Sequence, residues 1–290
     1  MTTPAMKLRT LLDAPGLIVM PCCFDALSAR LIERAGFPLT FMSGFAVSAA
    51  RLAQPDTGLI SYGEMLDQGR DICAAVSIPV IGDADTGYGN PLNVKRTIAG
   101  YAAAGFACAM IEDQQAPKRC GHTRGKTVVD RGEAFDRVRA AVEARDEGAD
   151  ILIMARTDAR ASEGLDVAIL RAQTFSELGA DLLFVEAPAT EVEMARVCEE
   201  VPGHQMANMV EGGDTPVLPP KRLEELGYAI AAYPLTLLAA ATHAMNAALR
   251  ALAQGDVAAG LLPFAELREI VGFDAYDAAL ERFDGSDDSE

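Results

Sequence analysis

Short apolar runs alternate with stretches of helical periodicity along most of the chain. The runs are LIVMPCC, LTFMSG, PVIGDAD, ACAMIED, DILIMARTD, DLLFVEAP, HQMANMV and AIAAYPL, each of strand length and apolar on both faces. Between them lie amphipathic stretches such as NVKRTIAGYAAAG and GLDVAILRAQTFSELGA, the second carrying a glycine suited to a helix C-terminus. Strands buried on both faces and separated by helices predict a parallel sheet. Eight of them predict an α/β fold, a (β/α)8 TIM barrel.

Two connections exceed simple turns: residues 45 to 64 after the second strand and residues 114 to 131 after the fourth. Long connections in a compact barrel are expected to be lids or binding loops. After the eighth strand, LTLLAAATHAMNAALRALA is apolar around most of its circumference, more than one barrel surface needs, which predicts burial against another subunit.

A chain of 290 residues with 50% hydrophobic residues can fill one large core. We expect a single barrel domain over residues 1–290 with a C-terminal helical extension, and a disordered acidic tail over residues 284–290. The net charge of −17, with Lys and Arg scattered rather than gathered into a stripe, excludes nucleic acid and anionic membrane as partners. With no run of about 18 apolar residues and no leader-like start, the expectation is a soluble, untargeted protein. Of six cysteines, Cys22, Cys23, Cys73, Cys108 and Cys198 sit in apolar surroundings, as reduced core residues of a cytoplasmic protein do.

The active site of such a barrel lies at the C-terminal ends of its strands. Those ends are polar here: Ser43-Gly44, Asp83-Ala84-Asp85, Glu112-Asp113, Arg156-Thr157-Asp158, Glu186 and Asn208. In GDADTGYGN, alternation along a strand would put Asp83 and Asp85 on one face, aimed into the barrel mouth. With Glu112 and with Asp56 of QPDTG, the acids suit a hard divalent cation that retains water, Mg2+ or Mn2+. Arg156 ends a buried strand and needs a carboxylate partner, either a structural acid such as Glu186 or the carboxylate of a small-molecule substrate.

The stretch APKRCGHTRGK places Cys120 among Lys118, Arg119, Arg124 and Lys126. Surrounding cations favour the thiolate and a bound dianion opposes it, which poises the group near neutrality for general acid or base work. A redox or structural thiol is the alternative, although no second cysteine lies nearby in sequence to resolve a sulfenic acid. His122 has no histidine partner at ligand spacing and is expected to order the loop or meet a substrate carboxylate.

At these residues the sequence resembles the isocitrate lyase and phosphoenolpyruvate mutase superfamily. GDADTGYGN, IEDQQAPKRCGH, MARTDA and FVEAP match its motifs in order, and the likeness runs from PCCFDALSA to YPLT. The resemblance implies a barrel whose eighth helix is exchanged between neighbours in a homotetramer, with Mg2+ at its mouth. It implies metal binding by Asp83 and Asp85 with Asp56 and Glu112, directly or through water. Ser43, Gly44, Arg156 and Asn208 would grip the substrate, with Lys118, Arg119 and Gly121 beside them. Glu186 would lie near the reacting hydroxyl, and KRCGH implies a carbon-carbon lyase with Cys120 as proton donor. SGFAVSAARLAQPDTG, CGHTRGK and NMVEGGDTP are most similar to the 2,3-dimethylmalate lyase, oxaloacetate hydrolase and petal death protein group. Methylisocitrate lyases share KRCGH but carry glycines after the serine, where this chain has Phe45 and Ala46. Oxaloacetate hydrolases carry a serine near the eighth strand, where this chain has Tyr233-Pro234.

Overall fold

The computed structural model describes residues 2–121 and 125–284. Eight parallel strands close into a barrel in sequence order: β1 (Ile18–Cys23), β2 (Thr40–Met42), β3 (Val80–Asp83), β4 (Cys108–Glu112), β5 (Leu152–Thr157), β6 (Leu182–Val185), β7 (His204–Asn208) and β8 (Ile230–Tyr233), with β8 paired to β1. Helices precede and cover them: α1 (Pro4–Asp13), α2 (Ala26–Arg34), α3 (Gly44–Val47), α4 (Tyr62–Ala75), α5 (Pro91–Ala104), α6 (Arg131–Asp146), α7 (Ala159–Glu163), α8 (Leu165–Glu177), α9 (Glu191–Glu200) and α10 (Pro220–Leu226). The chain continues through α11 (Thr236–Ala253), α12 (Phe264–Val271) and α13 (Phe273–Asp284). It divides into two compact units, Met1–Leu238 and Ala239–Glu290. No described helix is long and apolar enough to cross a membrane.

Period-two alternation builds two cores from each strand. Inward side chains such as Ile81, Cys108, Met110, Leu152, Met154 and Phe184 fill the barrel interior, closed below by Leu8 and Leu12 of α1. Outward side chains such as Ala109, Ile111, Ile153, Ala155, Leu183 and Val185 pack against the helices. Local signals agree with this pattern: α5 starts at an Asn90 capping box with Pro91 at its first turn and ends at Gly105, φ 97°.

The alternation also locates the site. Stepping up the inner face leads from Leu152 and Met154 to Arg156, from Cys108 and Met110 to Glu112, and from Leu182 and Phe184 to Glu186. The same steps reach Asp83 on β3 and Asn208 on β7, so the inward face turns from apolar to charged at its C-terminal rim. Register places Glu112 beside Arg156 on adjacent strands.

The connection after β2 is more regular than its length suggests, and one expectation needs correction. The connection after β2 is structured from its start: α3 runs into a π-helical turn, Ser48–Leu52, ending at Ala53 with φ 51°. Asp85 does not share the strand face with Asp83, because β3 stops at Asp83 and Asp85 adopts a left-handed φ of 55° in the turn that follows. The turn carries its carboxylate to the rim by another route.

In the second unit, Val257, Leu261, Phe264, Tyr276 and Phe283 are all exposed. Its ordered contacts include an Arg268–Asp277 ion pair at 3.8 Å and the Arg268 guanidinium over the Phe273 ring at 4.5 Å.

Candidate active site

The barrel mouth opens into a small cavity of about 60 Å³. Its polar lining comprises Ser43, Asp56, Asp83, Lys118, Arg156, Glu186 and Asn208, and Cys120 and Gly121 also line it. Phe45, Val210, Pro234 and Leu235 form an apolar wall.

Asp83 is held by backbone donors: Gly44 N–H donates to Oδ2 at 3.2 Å and Asp85 N–H to Oδ1 at 3.0 Å. A Cβ at position 44 would overlap Asp83 Oδ2 and lie 3.0 Å from its Cγ. Gly44 is therefore the residue that lets the carboxylate seat against the start of α3, while Ser43 caps that helix by accepting from Ala46 N–H at 3.3 Å.

Lys118 reaches into the acids. Its Nζ lies 2.8 Å from Asp56 Oδ1 and 3.7 Å from Asp85 Oδ2, with its side chain 4% exposed. Burial opposes its charge, but Asp85, Asp83, Asp56 and Glu112 together hold the ammonium pKa well above its usual value. Burial pushes Asp85 up to about 6, against the pull of Lys118 and with repulsion from Asp83 and Asp56. Burial likewise raises Glu112 well above the carboxylate range, against the pull of Arg156 and Lys118.

Arg156 has three acid partners: Asp158 Oδ2 at 2.8 Å, Glu186 Oε2 at 3.1 Å and Glu112 Oε2 at 3.3 Å. Glu186, one of the two sources of a partner carboxylate left open by the sequence, is among them. Asn208 Nδ2 stands 3.3 Å from Glu186 Oε2.

Of the other expected residues, Gly44, Asp85, Glu112 and Arg119 are not among the cavity-lining residues. Asp85 and Glu112 act on it through Lys118 and Arg156, and the Arg119 guanidinium lies near Gly125 instead. His122 and Arg124 lie outside the described residues. Sequence reasoning did not name Val210 and Leu235, which follow the ends of β7 and β8 and were legible only as apolar neighbours of Asn208 and Pro234. It counted Asp158 among the polar strand ends but gave it no role, and it did not name Gln114, because it weighed strand ends by the chemistry they could offer a ligand rather than by what they could hold in place.

Among the described residues, Asp56, Asp83, Asp85, Glu112, Asp158 and Glu186 are buried acids, set against Lys118, Lys126 and Arg156. With all of these acids ionised the site would hold an excess of negative charge in poorly hydrated surroundings, a costly arrangement that protonation of Glu112 or a further cation relieves. Both oxygens of Glu112 are buried without a hydrogen bond. No three described His, Cys, Asp or Glu side chains converge tightly enough to cage an ion. The donor set fits a hard divalent ion bound through one or two carboxylates and its own waters, as Mg2+ prefers, and not a closed all-protein cage.

The phosphoenolpyruvate phosphomutase family model matches residues 8–253. The chain belongs to the phosphoenolpyruvate mutase and isocitrate lyase superfamily. It is 43% identical over 274 residues to the 2,3-dimethylmalate lyase of Eubacterium barkeri, covering 93% of this chain and 94% of that one. A solved oxaloacetate acetylhydrolase in complex with 3,3-difluorooxalacetate superposes with a TM-score of 0.94 at 33% identity, over 99% of each chain. A phosphonopyruvate hydrolase solved with oxalate and Mg2+ superposes at 0.86 with 30% identity, over 97% of this chain and 99% of that one. The chain is an enzyme of this superfamily.

Proposed function

We propose that the enzyme is a carbon-carbon lyase that cleaves the C2–C3 bond of a 2-hydroxy dicarboxylate of the 2-alkylmalate type. With 2,3-dimethylmalate the products are pyruvate and propionate. The observation that carries this reading is that Cys120 and Gly121 line the same cavity as Asp56, Asp83, Lys118 and the Arg156–Glu186 pair. The 43% identity to a protein named for that reaction supports it.

Mg2+, with Mn2+ as second candidate, would be held by Asp83 and Asp85 with Asp56 and Glu112, directly or through water, and would supply positive charge opposite the oxo-acid oxygens. Arg156 orients the substrate while its charge is shared among its acid partners. Glu186, with Asn208, faces the C2 hydroxyl, and its carboxylate takes up the hydroxyl proton as the C2–C3 bond breaks. The electron pair of that bond passes to C3, and the Cys120 thiol donates the proton that completes the second carboxylate product. Gly121, buried at the cavity beside Cys120, would help to keep bulk water from the carbanion.

The apolar wall narrows the choice of substrate. Phe45 and Pro234 offer nothing to a third carboxylate, and the lining cations Lys118 and Arg156 are already paired with acids. This favours an alkylmalate over methylisocitrate. Metal-dependent release of 2-oxo acid from a panel of alkylmalates, methylisocitrate and oxaloacetate tests the assignment. We expect 2,3-dimethylmalate to exceed methylisocitrate in kcat/KM by about 10-fold or more. Equal or better turnover of methylisocitrate, or cleavage of oxaloacetate alone, refutes it.

The exposed apolar residues of the C-terminal helices, Met245, Leu249 and Leu252 of α11 with Phe264 and Phe283 beyond, are taken to be covered by another copy of the chain in a homotetramer. A monodisperse monomer by light scattering at micromolar concentration would exclude this.

A further inference from the structure

Three successive backbone units around the reactive thiol are tied down by three different anchors. Arg119 N–H donates to Gln114 Oε1 at 2.9 Å, and its carbonyl accepts from Gln114 Nε2 at 2.8 Å. Cys120 N–H donates to the Asp56 carbonyl at 3.1 Å. The Gly121 carbonyl accepts from Lys126 Nζ.

The third anchor differs from the others because the same ammonium donates to Asp158 Oδ1 at 3.1 Å, with side chains 4% and 0% exposed. Asp158 is part of the rigid barrel. Its N–H donates to Asp113 Oδ1 at 2.9 Å, and Asp113 is fixed by Thr157 Oγ1 at 2.7 Å and Arg171 Nη1 at 3.1 Å. The Asp158 carboxylate also receives Arg156 Nε at 2.8 Å and Nη2 at 3.0 Å. Arg156 already has Glu112 and Glu186 for its charge, so Asp158 would be a buried acid in excess were Lys126 not opposite it. Gly121 meanwhile sits so close to the pair that a Cβ there would lie 2.6 Å from Arg156 Nη2.

We propose that Lys126 and Asp158 are positioning residues for Cys120. They tie the backbone that carries the thiol to the same carboxylate that orients Arg156, so that the proton donor and the substrate-orienting guanidinium are placed by one buried group. Neither residue touches the reacting atoms in this account. The kinetic consequence rests on the lyase reading above; the geometric one does not.

The experiment compares wild type, Lys126→Met and Lys126→Arg. Iodoacetamide labelling of Cys120, followed by peptide mass spectrometry from pH 6 to 10, gives a plateau rate in which the thiol is fully ionised, so that the plateau reports accessibility rather than pKa. We expect Lys126→Met to raise the plateau about 10-fold and to abolish protection by Mg2+ plus oxalate, with Lys126→Arg close to wild type. In turnover, Lys126→Met should lower kcat by about 10-fold to 100-fold with KM changed less than about 3-fold, and should add nothing in a Cys120→Ser background. An unchanged plateau with protection retained, or kinetic losses that multiply with Cys120→Ser, overturns the proposal. If the lyase reading is wrong, no variant turns over, and the labelling plateau still decides on the positioning. Should Lys126→Met fail to fold, Asp158→Asn keeps the shape and weakens the tie, and it is read by the labelling plateau alone, because the same carboxylate also holds Arg156.

Discussion

Gly121→Ala separates a positional role from a structural one. The backbone at Gly121 is not in the left-handed region, so alanine meets no conformational barrier there. The added Cβ would overlap Glu186 Oε2 and lie 2.6 Å from both Arg156 Nη2 and Glu186 Cδ. That is roughly 1 Å short of an unstrained contact, so the methyl must displace either the Arg156–Glu186 pair or the Cys120–Gly121 backbone. The pair is locked, since Arg156 is also bound to Asp158 at 2.8 Å and Asp158 to Asp113. The backbone therefore moves, and the thiol moves with it by a comparable distance. A misplacement of about 1 Å at a reacting group costs about 100-fold in rate. The methyl over-packs the site without opening a cavity, so stability should fall by about 1–3 kcal/mol, less than the loss of a structural element. Steady-state kcat on 2,3-dimethylmalate, with a urea titration on the same protein, gives both quantities. A Gly121→Ala enzyme with wild-type kcat refutes the placement of Cys120, and one that loses several kcal/mol shows the segment to be a structural element instead.

Three further outcomes follow from the same geometry. Cys120→Ser keeps the shape but weakens the acid, so kcat should fall by about 100-fold to 10,000-fold with KM far less affected; near wild-type kcat removes the thiol from the reaction. Gly82→Ala should destabilise the barrel by about 1–3 kcal/mol in urea unfolding, because its Cβ would lie 2.7 Å from both the Phe106 and Tyr101 rings, and a neutral result contradicts the packing. Burial raises the Cys73 and Cys198 thiols from 9.0 to about 12, so thiolate is scarce until pH rises towards that value. Their labelling at pH 8 should be about 1000-fold slower than that of an unperturbed thiol, and rates matching free cysteine would show those environments to be open.

The barrel was legible because its strands are apolar on both faces and its helices are not. Period two then carried the inference to the rim: Met154 to Arg156 and Phe184 to Glu186 are single steps of one alternation. The same rule failed at Asp85, where a residue with φ 55° ends the alternation and only the backbone reveals it. It also failed for the cations around Cys120. Lys118 and Lys126 stand near the cysteine in sequence, which predicts a thiolate held by ammonium groups, yet in space each has a carboxylate of its own, Asp56 and Asp158. Sequence proximity does not show how a charge is shared, because the acids that claim it come from other strands.

That sharing joins the two long connections, which the sequence presented as separate loops. Asp56, from the connection after β2, receives Cys120 N–H on its carbonyl and Lys118 Nζ on its carboxylate. Both groups belong to the connection after β4, so one residue clasps the thiol-bearing segment at two points. Lys118 also faces Asp85, an acid expected to hold the divalent ion. The Lys118 ammonium, two residues along the chain from Cys120, and such an ion would therefore draw on the same carboxylates. A mouth built in this way joins the acid cluster to the segment that carries Cys120 through one residue, Asp56, which is bound to it by both its carbonyl and its carboxylate.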